Sequence, residues 1–275
     1  MMKQYQHYFK KNIKKIELTT LGLTNKIFHV YLEDNSEYHL RIPYDHNDEF
    51  FNYELEQQII SEIDKLKITL PTVYFNTEKG IKISPYFKNL IVLNETNLDL
   101  VIENVAKRIK TFHSAPLCHH EFNIKKKYET FKQLTLVSLY DLSTYEFVMD
   151  NLKCYSDRVL CHNDLVNGNV VFLNNECFLI DFEYASDNHP YFDLMSFITE
   201  NNIDDPNLRE RFFTAYFGTK LTEEIKQGLL YFESVHHLLW CQWAMMQYSI
   251  LKEDIYYDIA TDKYNRLVNI VKPKV

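Results

Sequence analysis

The amino-acid sequence predicts an α+β protein with two lobes, a small β-rich lobe over residues 1–87 and a larger α-helical lobe over residues 88–275. Apolar and polar residues alternate in the first part of the chain, as they do in half-buried strands. Further along, the apolar residues mostly recur at helical spacing. A chain of 275 residues that is 46% hydrophobic also has enough apolar side chains to fill both lobes.

The first lobe begins with a predicted hairpin. The segments KIFHVYL (residues 26–32) and EYHLRIP (residues 37–43) each alternate apolar with polar side chains, which puts the apolar ones on one face of a sheet. A helix is predicted over residues 49–65, and GIKISPYF (residues 80–87) predicts a further strand. These segments account for the β-rich lobe.

The second lobe is predicted to be helical except for one short hairpin. Long, mostly apolar helices are predicted over residues 222–251 and 254–270. The hairpin joins GNVVFL (residues 168–173) to ECFLID (residues 176–181) through two asparagines, which suit a tight turn. An earlier helix carries one apolar stripe, formed by Leu98, Val101, Ile102, Val105, Ile109 and Phe112.

Charge and composition limit the partners and the compartment. A formal net charge of −8 argues against nucleic acid, whose phosphates attract basic surfaces, and suits a cationic or neutral small substrate. The five cysteines are scattered without metal-binding spacing, which indicates reduced thiols and a cytoplasmic protein. The sequence has neither a secretory signal nor an apolar run of membrane-spanning length, so no membrane partner is expected.

Three polar side chains flank the hairpin. Asp164 lies in a loop before it, Asn169 lies at its start, and Asp181 ends its second strand. Because a hairpin brings its two ends together, we expect these side chains to converge. Carboxylate and amide oxygens suit Mg²⁺, which also binds substrate phosphates. A carboxylate that stays off the metal can accept a proton from an attacking hydroxyl, as in phosphoryl transfer.

Three motifs carry a family resemblance: HNDLVNGN (residues 162–169), IDFEYA (residues 180–185) and NHPYFDLMSFITE (residues 188–200). They resemble the aminoglycoside-phosphotransferase and choline-kinase superfamily, which has a protein-kinase-like fold, and the third is similar to choline/ethanolamine kinases in particular. The resemblance implies that Asp164 is the catalytic base and that Asn169 and Asp181 hold Mg²⁺. It also implies that His162 supports the catalytic loop and that Asp193 braces this loop from the following helix.

A kinase of this type needs a loop over the phosphates, a cation on the third strand and a glutamate on the next helix. LGLTNKIFHV (residues 21–30) resembles the choline-kinase phosphate loop, which implies that Gly22 and Asn25 bind nucleotide. Arg41 takes the place of the usual lysine, and its guanidinium can bind phosphate oxygens in bidentate fashion. Its helix partner is Glu54 or Glu56, and register with the family favours Glu54. The adenine is expected at the connection between the lobes, on backbone groups of Pro85, Tyr86 and Phe87.

The phosphate acceptor is indicated by HHLLWCQWAMMQ (residues 236–247). Trp240 and Trp243 share one helix face, a pattern that two core residues also produce. The segment resembles the helix that lines the choline site of choline kinases, where aromatic faces hold a quaternary ammonium. The resemblance implies that Glu200 supplies negative charge and that Tyr256 or Tyr257 closes the aromatic cage.

These features together predict a cytoplasmic choline kinase that uses ATP and Mg²⁺ and forms phosphocholine. One alternative is an ethanolamine kinase, which needs hydrogen-bond acceptors around a primary ammonium. Another is an aminoglycoside or other small-alcohol phosphotransferase, which needs several acidic side chains in an open cleft. A nucleotide-binding regulator without turnover is disfavoured, because Asp164, Asn169 and Asp181 are all present. The oligomeric state is left open.

Overall fold

The computed structural model describes residues 2–21, 24–44 and 51–272. The chain forms two compact units, the first of Met1–Leu93 and Gly168–Tyr184, and the second of Asn94–Asn167 and Ala185–Val275. Strands concentrate in the first unit and helices in the second, which confirms the predicted α+β class. The assignment of a nucleotide-binding lobe to residues 1–87 and a catalytic lobe to residues 88–275 stays a prediction.

The first unit is built on a five-stranded antiparallel sheet, in which the strands, counted along the chain, stand in the order first, second, third, fifth, fourth. The predicted hairpin is confirmed, since its two segments pair as neighbouring strands. The short helix α1 (Met2–Tyr5) precedes the sheet. The strands are β1 (Ile13–Leu21), β2 (Asn25–Leu32), β3 (Glu37–Pro43), β4 (Tyr74–Asn76) and β5 (Ile81–Pro85).

Side-chain alternation gives this sheet one buried apolar face. Helix α2 (Tyr53–Asp64) follows β3, and Asn52 caps it by accepting a hydrogen bond from the Leu55 backbone N–H. The predicted start of this helix at residue 49 lies outside the described residues. The core of the sheet consists of Ile13, Phe28, Val30, Leu32, Leu40, Ile81 and Ile83.

A second, three-stranded sheet in the first unit contains the predicted late hairpin. Its strands β6 (Ile91–Val92), β8 (Val170–Leu173) and β9 (Glu176–Leu179) pair in the order β6-β8-β9. Asn174 and Asn175 make the turn between β8 and β9 with φ angles of 51° and 67°. Asparagine tolerates this left-handed conformation, which two-residue hairpin turns require. The hairpin prediction is therefore confirmed.

The second unit is mainly helical, as predicted. A short pair of strands, β7 (Val159–Cys161) and β10 (Ser186–Asn188), lies antiparallel within it. A 3₁₀ helix spans Ser143–Cys154. The α-helices are α3 (Leu98–Phe112), α4 (Ile124–Leu134), α5 (Pro190–Glu200), α6 (Pro206–Phe217), α7 (Glu223–Leu251) and α8 (Asp254–Ile270).

Helix α7 is the core helix of the second unit. It is buried almost all round from Phe232 to Met246, and it packs against α4, α5 and α8. Along this stretch its apolar surface is therefore covered by protein. Among the described residues, no helix combines the length and apolarity that crossing a lipid bilayer requires.

Candidate active site

Arg41 is the centre of a buried ionic cluster in the first unit. Its guanidinium donates hydrogen bonds of 2.8 and 2.6 Å to the two carboxylate oxygens of Glu56 and one of 2.7 Å to Asp181. Lys82, paired with Arg41 across β3 and β5, lies 2.9 Å from Glu56. Burial favours the neutral acid, but the charges of Arg41 and Lys82 prevail and lower the pKa of Glu56 to about 2.

The preference for Glu54 as the partner of Arg41 is wrong. Glu54 lies on the exposed face of α2, whereas Glu56 is only 1% exposed. Glu56 shares the buried face of the helix with Ile59, Ile60 and Ile63, at helical spacing. The apolar periodicity of α2 therefore points to Glu56 rather than Glu54.

Asn169 and Asp181 lie at the same end of the late hairpin. The backbone N–H of Ile180 donates a 3.0 Å hydrogen bond to the carbonyl of Asn169, which places Asp181 beside it. Asp181 has a φ of 66° and remains 30% exposed on its side chain. An amide and a partly exposed carboxylate offer the hard oxygen ligands that Mg²⁺ prefers.

Glu183 is a functional candidate that the sequence reasoning did not assign. Its carboxylate accepts hydrogen bonds from the Thr24 hydroxyl at 2.7 Å and from the Asn25 amide at 2.9 Å. Burial, followed by the negative charge of Asp181, raises its pKa to about 7. Two carboxyl groups this close in sequence and charge fit a divalent cation, because its positive charge relieves their repulsion. Its position in the IDFEYA motif was the available signal.

The remaining predicted nucleotide residues are placed only in part. Gly22 lies outside the described residues. Pro85 ends β5, and the backbone N–H of Tyr86 donates to the carbonyl of Glu37 at 3.0 Å, so this N–H is already engaged. The Tyr86 ring stacks on His29 at a centroid distance of 3.7 Å. Phe87 follows, with its carbonyl accepting the N–H of Leu90.

The predicted catalytic loop of the second unit is held in place by hydrogen bonds from its backbone. Asn163 adopts a φ of 65°, and the backbone N–H groups of His162 and Asn163 donate to the carboxylate of Asp193 at 2.7 and 2.6 Å. The prediction that Asp193 braces this loop is confirmed. Leu165 adds a third backbone anchor, donating to the Ser196 hydroxyl at 3.0 Å. Asp164, between these anchors, is half-buried.

His113 and Tyr216 extend this network, and nothing in their local sequence pattern marked them. His113 Nε2 lies 3.0 Å from Asp193, and its Nδ1 lies 2.7 Å from the Tyr216 hydroxyl. Among the described residues, His113, Cys161 and Asp193 also form a group close enough to bind a metal ion. Both Asp193 oxygens already accept backbone N–H groups, so hydrogen bonding explains this group.

The two tryptophans of α7 form an aromatic cluster with Tyr256 of α8. Trp240 and Trp243 meet edge to face at 5.6 Å, and Trp243 meets Tyr256 in the same way at 5.7 Å. All three side chains are buried, whereas Tyr257 is 43% exposed and contacts Tyr248 instead. Of the two candidate tyrosines, the structure therefore brings Tyr256 to the tryptophans and leaves Tyr257 outside.

Glu200 does not offer an uncompensated negative charge, which corrects the expectation from sequence. Lys263 of α8 donates a 2.7 Å hydrogen bond to its Oε1 atom, and His236 Nε2 lies 3.7 Å from the same oxygen. Lys263 shares the buried face of α8 with Tyr256, Ala260 and Leu267. Helical periodicity alone brings it there.

The expected convergence of Asp164 with Asn169 and Asp181 stays a prediction. Asp164 belongs to the second unit, whereas Asn169 and Asp181 belong to the first. Each unit on its own supplies one half of the predicted chemistry. The first unit holds the buried ionic cluster around Arg41 and the candidate metal ligands. The second unit holds the candidate base and the aromatic cluster.

The chain is similar to known phosphotransferases. The phosphotransferase enzyme family matches residues 16–226. The Protein LicA homolog of Metamycoplasma hominis is 26% identical over 212 residues, which cover 73% of this chain and 78% of that protein. Ethanolamine kinase 1 of Homo sapiens is 25% identical over 192 residues, which cover 60% of this chain and 42% of that protein.

Two solved structures share the fold of this chain. The crystal structure of choline kinase LicA from Streptococcus pneumoniae matches with a TM-score of 0.80 and 20% sequence identity, covering 97% of each chain. An aminoglycoside phosphotransferase, APH(4)-Ia, matches with a TM-score of 0.72 at 15% identity, over 98% of each chain. These likenesses confirm the predicted protein-kinase-like fold.

Proposed function

This chain belongs to the phosphotransferase enzyme family, and we propose that it is a choline kinase that uses ATP and Mg²⁺. In this reaction the terminal phosphoryl group of ATP passes to the hydroxyl oxygen of choline. The products are phosphocholine and ADP, and the hydroxyl proton leaves to a base on the protein. The family assignment supports the reaction type. The choice of choline as the substrate is argued from the aromatic cluster of the second unit.

The aromatic cluster carries the choline assignment. Trp240, Trp243 and Tyr256 present ring edges and faces to one another at nearly right angles. A quaternary ammonium has no hydrogen to donate, so a site for it relies on the faces of aromatic rings.

Asp164 is the proposed catalytic base. The carboxylate orients the choline hydroxyl and accepts its proton as the phosphoryl group is transferred. Asp193 and His162 act as positioning residues, because the Asp193 carboxylate fixes the backbone on which Asp164 sits. His113 contacts the carboxylate of Asp193 through Nε2 and so helps to hold it in place.

Arg41 and the late hairpin are proposed to bind the nucleotide. Asn169 and Asp181 would hold Mg²⁺, which would supply positive charge to the phosphates during transfer. Arg41, fixed by Glu56, supplies a permanent positive charge. Asn25 orients Glu183 beside this group, and the adenine is assigned to Pro85, Tyr86 and Phe87.

We assign the enzyme to the cytoplasm, where ATP is available. A reducing compartment is consistent with the described cysteines, since no disulfide joins any of Cys118, Cys154, Cys161, Cys177 and Cys241.

Ethanolamine is the second candidate substrate, favoured by one observation. Glu200 offers carboxylate oxygens that could accept hydrogen bonds from a primary ammonium, although Lys263 already occupies one of them. The similarity to ethanolamine kinase 1 is consistent with this alternative.

A coupled ADP-release assay tests the proposed function. The purified protein is given Mg-ATP with choline, ethanolamine, thiamine or kanamycin, and Asp164→Asn serves as the inactive control. We expect choline to give the highest kcat/KM. Preferred release with kanamycin, or equal release with and without any alcohol, would overturn the proposal.

A further inference from the structure

Lys263 is a buried cation whose role the proposed reaction does not explain. Its side chain is 5% exposed, and its Nζ atom lies 2.7 Å from Glu200 Oε1. Burying an ammonium group is unfavourable unless it is paired, and Glu200 is the partner that offsets this cost for Lys263. In return, Lys263 compensates the charge of Glu200.

This ion pair lies next to the aromatic cluster. The His236 ring connects the two, with its Nε2 3.7 Å from Glu200 and its centroid 6.0 Å from the Trp240 ring. His236 adds no positive charge, because burial, followed by the charge of Lys263, lowers its pKa well below the usual value. Lys263 is therefore the cation that balances Glu200 at this end of the cluster.

We infer that Lys263 is a specificity residue that favours a quaternary over a primary ammonium by neutralising Glu200 beside the aromatic cluster. This inference rests on the proposed function and goes beyond it, since it concerns which amino alcohol is preferred.

The physical reason lies in how the two cations are solvated. A primary ammonium has three N–H donors and loses strong hydrogen bonds to water when it enters a site, so it needs acceptors with free negative charge. A quaternary ammonium has no such donors and is satisfied by ring faces. Lys263 occupies the acceptor that a primary ammonium would use, and it leaves the rings untouched.

The test compares kcat/KM for choline and ethanolamine in variants of the whole chain. Lys263→Met removes the charge and keeps a long apolar stem, and Lys263→Gln removes the charge but can still donate a hydrogen bond to Glu200. The double variant Lys263→Met with Glu200→Gln removes both charges. Lys226→Met is the matched control, because Lys226 pairs with Glu223 at the same 2.7 Å but on an exposed helix start.

Either neutral variant should lower the choline-to-ethanolamine ratio of kcat/KM by about tenfold, the effect of one charge-assisted hydrogen bond gained by ethanolamine. The double variant should return the ratio towards that of the parent, and Lys226→Met should leave it unchanged. If Lys263→Met fails to fold, Lys263→Gln and the double variant still decide the question.

A folded Lys263→Met or Lys263→Gln enzyme with the parent's ratio would overturn this inference while leaving the choline kinase proposal intact. A parent enzyme that phosphorylates neither amino alcohol would overturn both. The two failures are therefore distinguishable in one set of measurements.

Discussion

Asp164 is the residue on which the chemical step depends in this account. The backbone next to it is held by hydrogen bonds to the carboxylate of Asp193. Asp164→Asn should keep ATP binding and lower kcat by about 10²–10⁴-fold, the usual contribution of a positioned general base.

The measurement for Asp164 is a pair of assays, ATP binding by calorimetry and kcat by ADP release. Asp157→Asn, an exposed aspartate of the same unit, is the control and should behave like the parent. Near-normal kcat in Asp164→Asn would show that another group accepts the proton.

At the scale of secondary-structure elements, the ion pair between Arg41 of β3 and Glu56 of α2 can be compared with the exposed Glu54 of the same helix. Arg41 and Glu56 are both buried and form two hydrogen bonds. Glu56→Gln removes the charge that compensates Arg41, and breaking a buried pair from one side costs about 3–5 kcal/mol. Glu54→Gln, on the exposed face of the same helix, should change the free energy of unfolding by less than about 0.5 kcal/mol.

Urea denaturation of both variants measures this difference. We expect a clearly lower midpoint for Glu56→Gln than for Glu54→Gln, together with a raised KM for ATP in Glu56→Gln. Equal midpoints would mean that the pairing of Arg41 with Glu56 of α2 does not stabilise the fold.

Elements with strong periodicity could be predicted from the sequence. The β2–β3 hairpin, β5, the β8–β9 hairpin, α3, α7 and α8 all follow from alternation, helical stripes or a turn-forming pair of asparagines. Elements without such patterns are not predictable in this way. Among them are β7 and β10, two short strands that lie far apart in the sequence and pair with each other. Their strands are too short to show a period, and only their pairing defines them.

The candidate site was predictable where its residues lie in one motif. Asp164, Asn169 and Asp181 fall within a short segment, and Asp193 follows it closely. The contacts of Glu183 with Thr24 and of Glu200 with Lys263 join residues 159 and 63 positions apart. Contacts at such separations are made by tertiary folding, and no local pattern encodes them.

At the scale of the whole molecule, buried histidines should make stability depend on pH. His237 is almost fully buried, and within the described residues neither ring nitrogen has a hydrogen-bond partner. Burial, followed by the charges of Lys263 and Arg266, lowers its pKa from 6.5 to about 2. The unfolded chain therefore binds a proton below pH 6.5 that the folded chain does not, so stability falls as the pH falls from there.

His237→Leu should remove this contribution. Each unit of pH below the unfolded pKa costs about 1.4 kcal/mol for one such group, so the variant should gain about 2 kcal/mol on the parent between pH 7 and pH 5. Urea midpoints at the two pH values measure the gain, with the exposed His120→Gln as control. A constant difference between parent and variant at both pH values would contradict this explanation.

The central claim is that the aromatic cluster selects choline, and the KM of Trp243→Ala for choline tests it most directly. A desolvated cation over an indole ring gains about 2 kcal/mol, so losing the ring should raise the choline KM by roughly 30-fold. The ATP KM should stay near that of the parent, and the exposed neighbour Tyr257→Ala should change neither value. A folded Trp243→Ala enzyme with the parent's choline KM would show that the ring only packs in the core and would contradict the choline assignment.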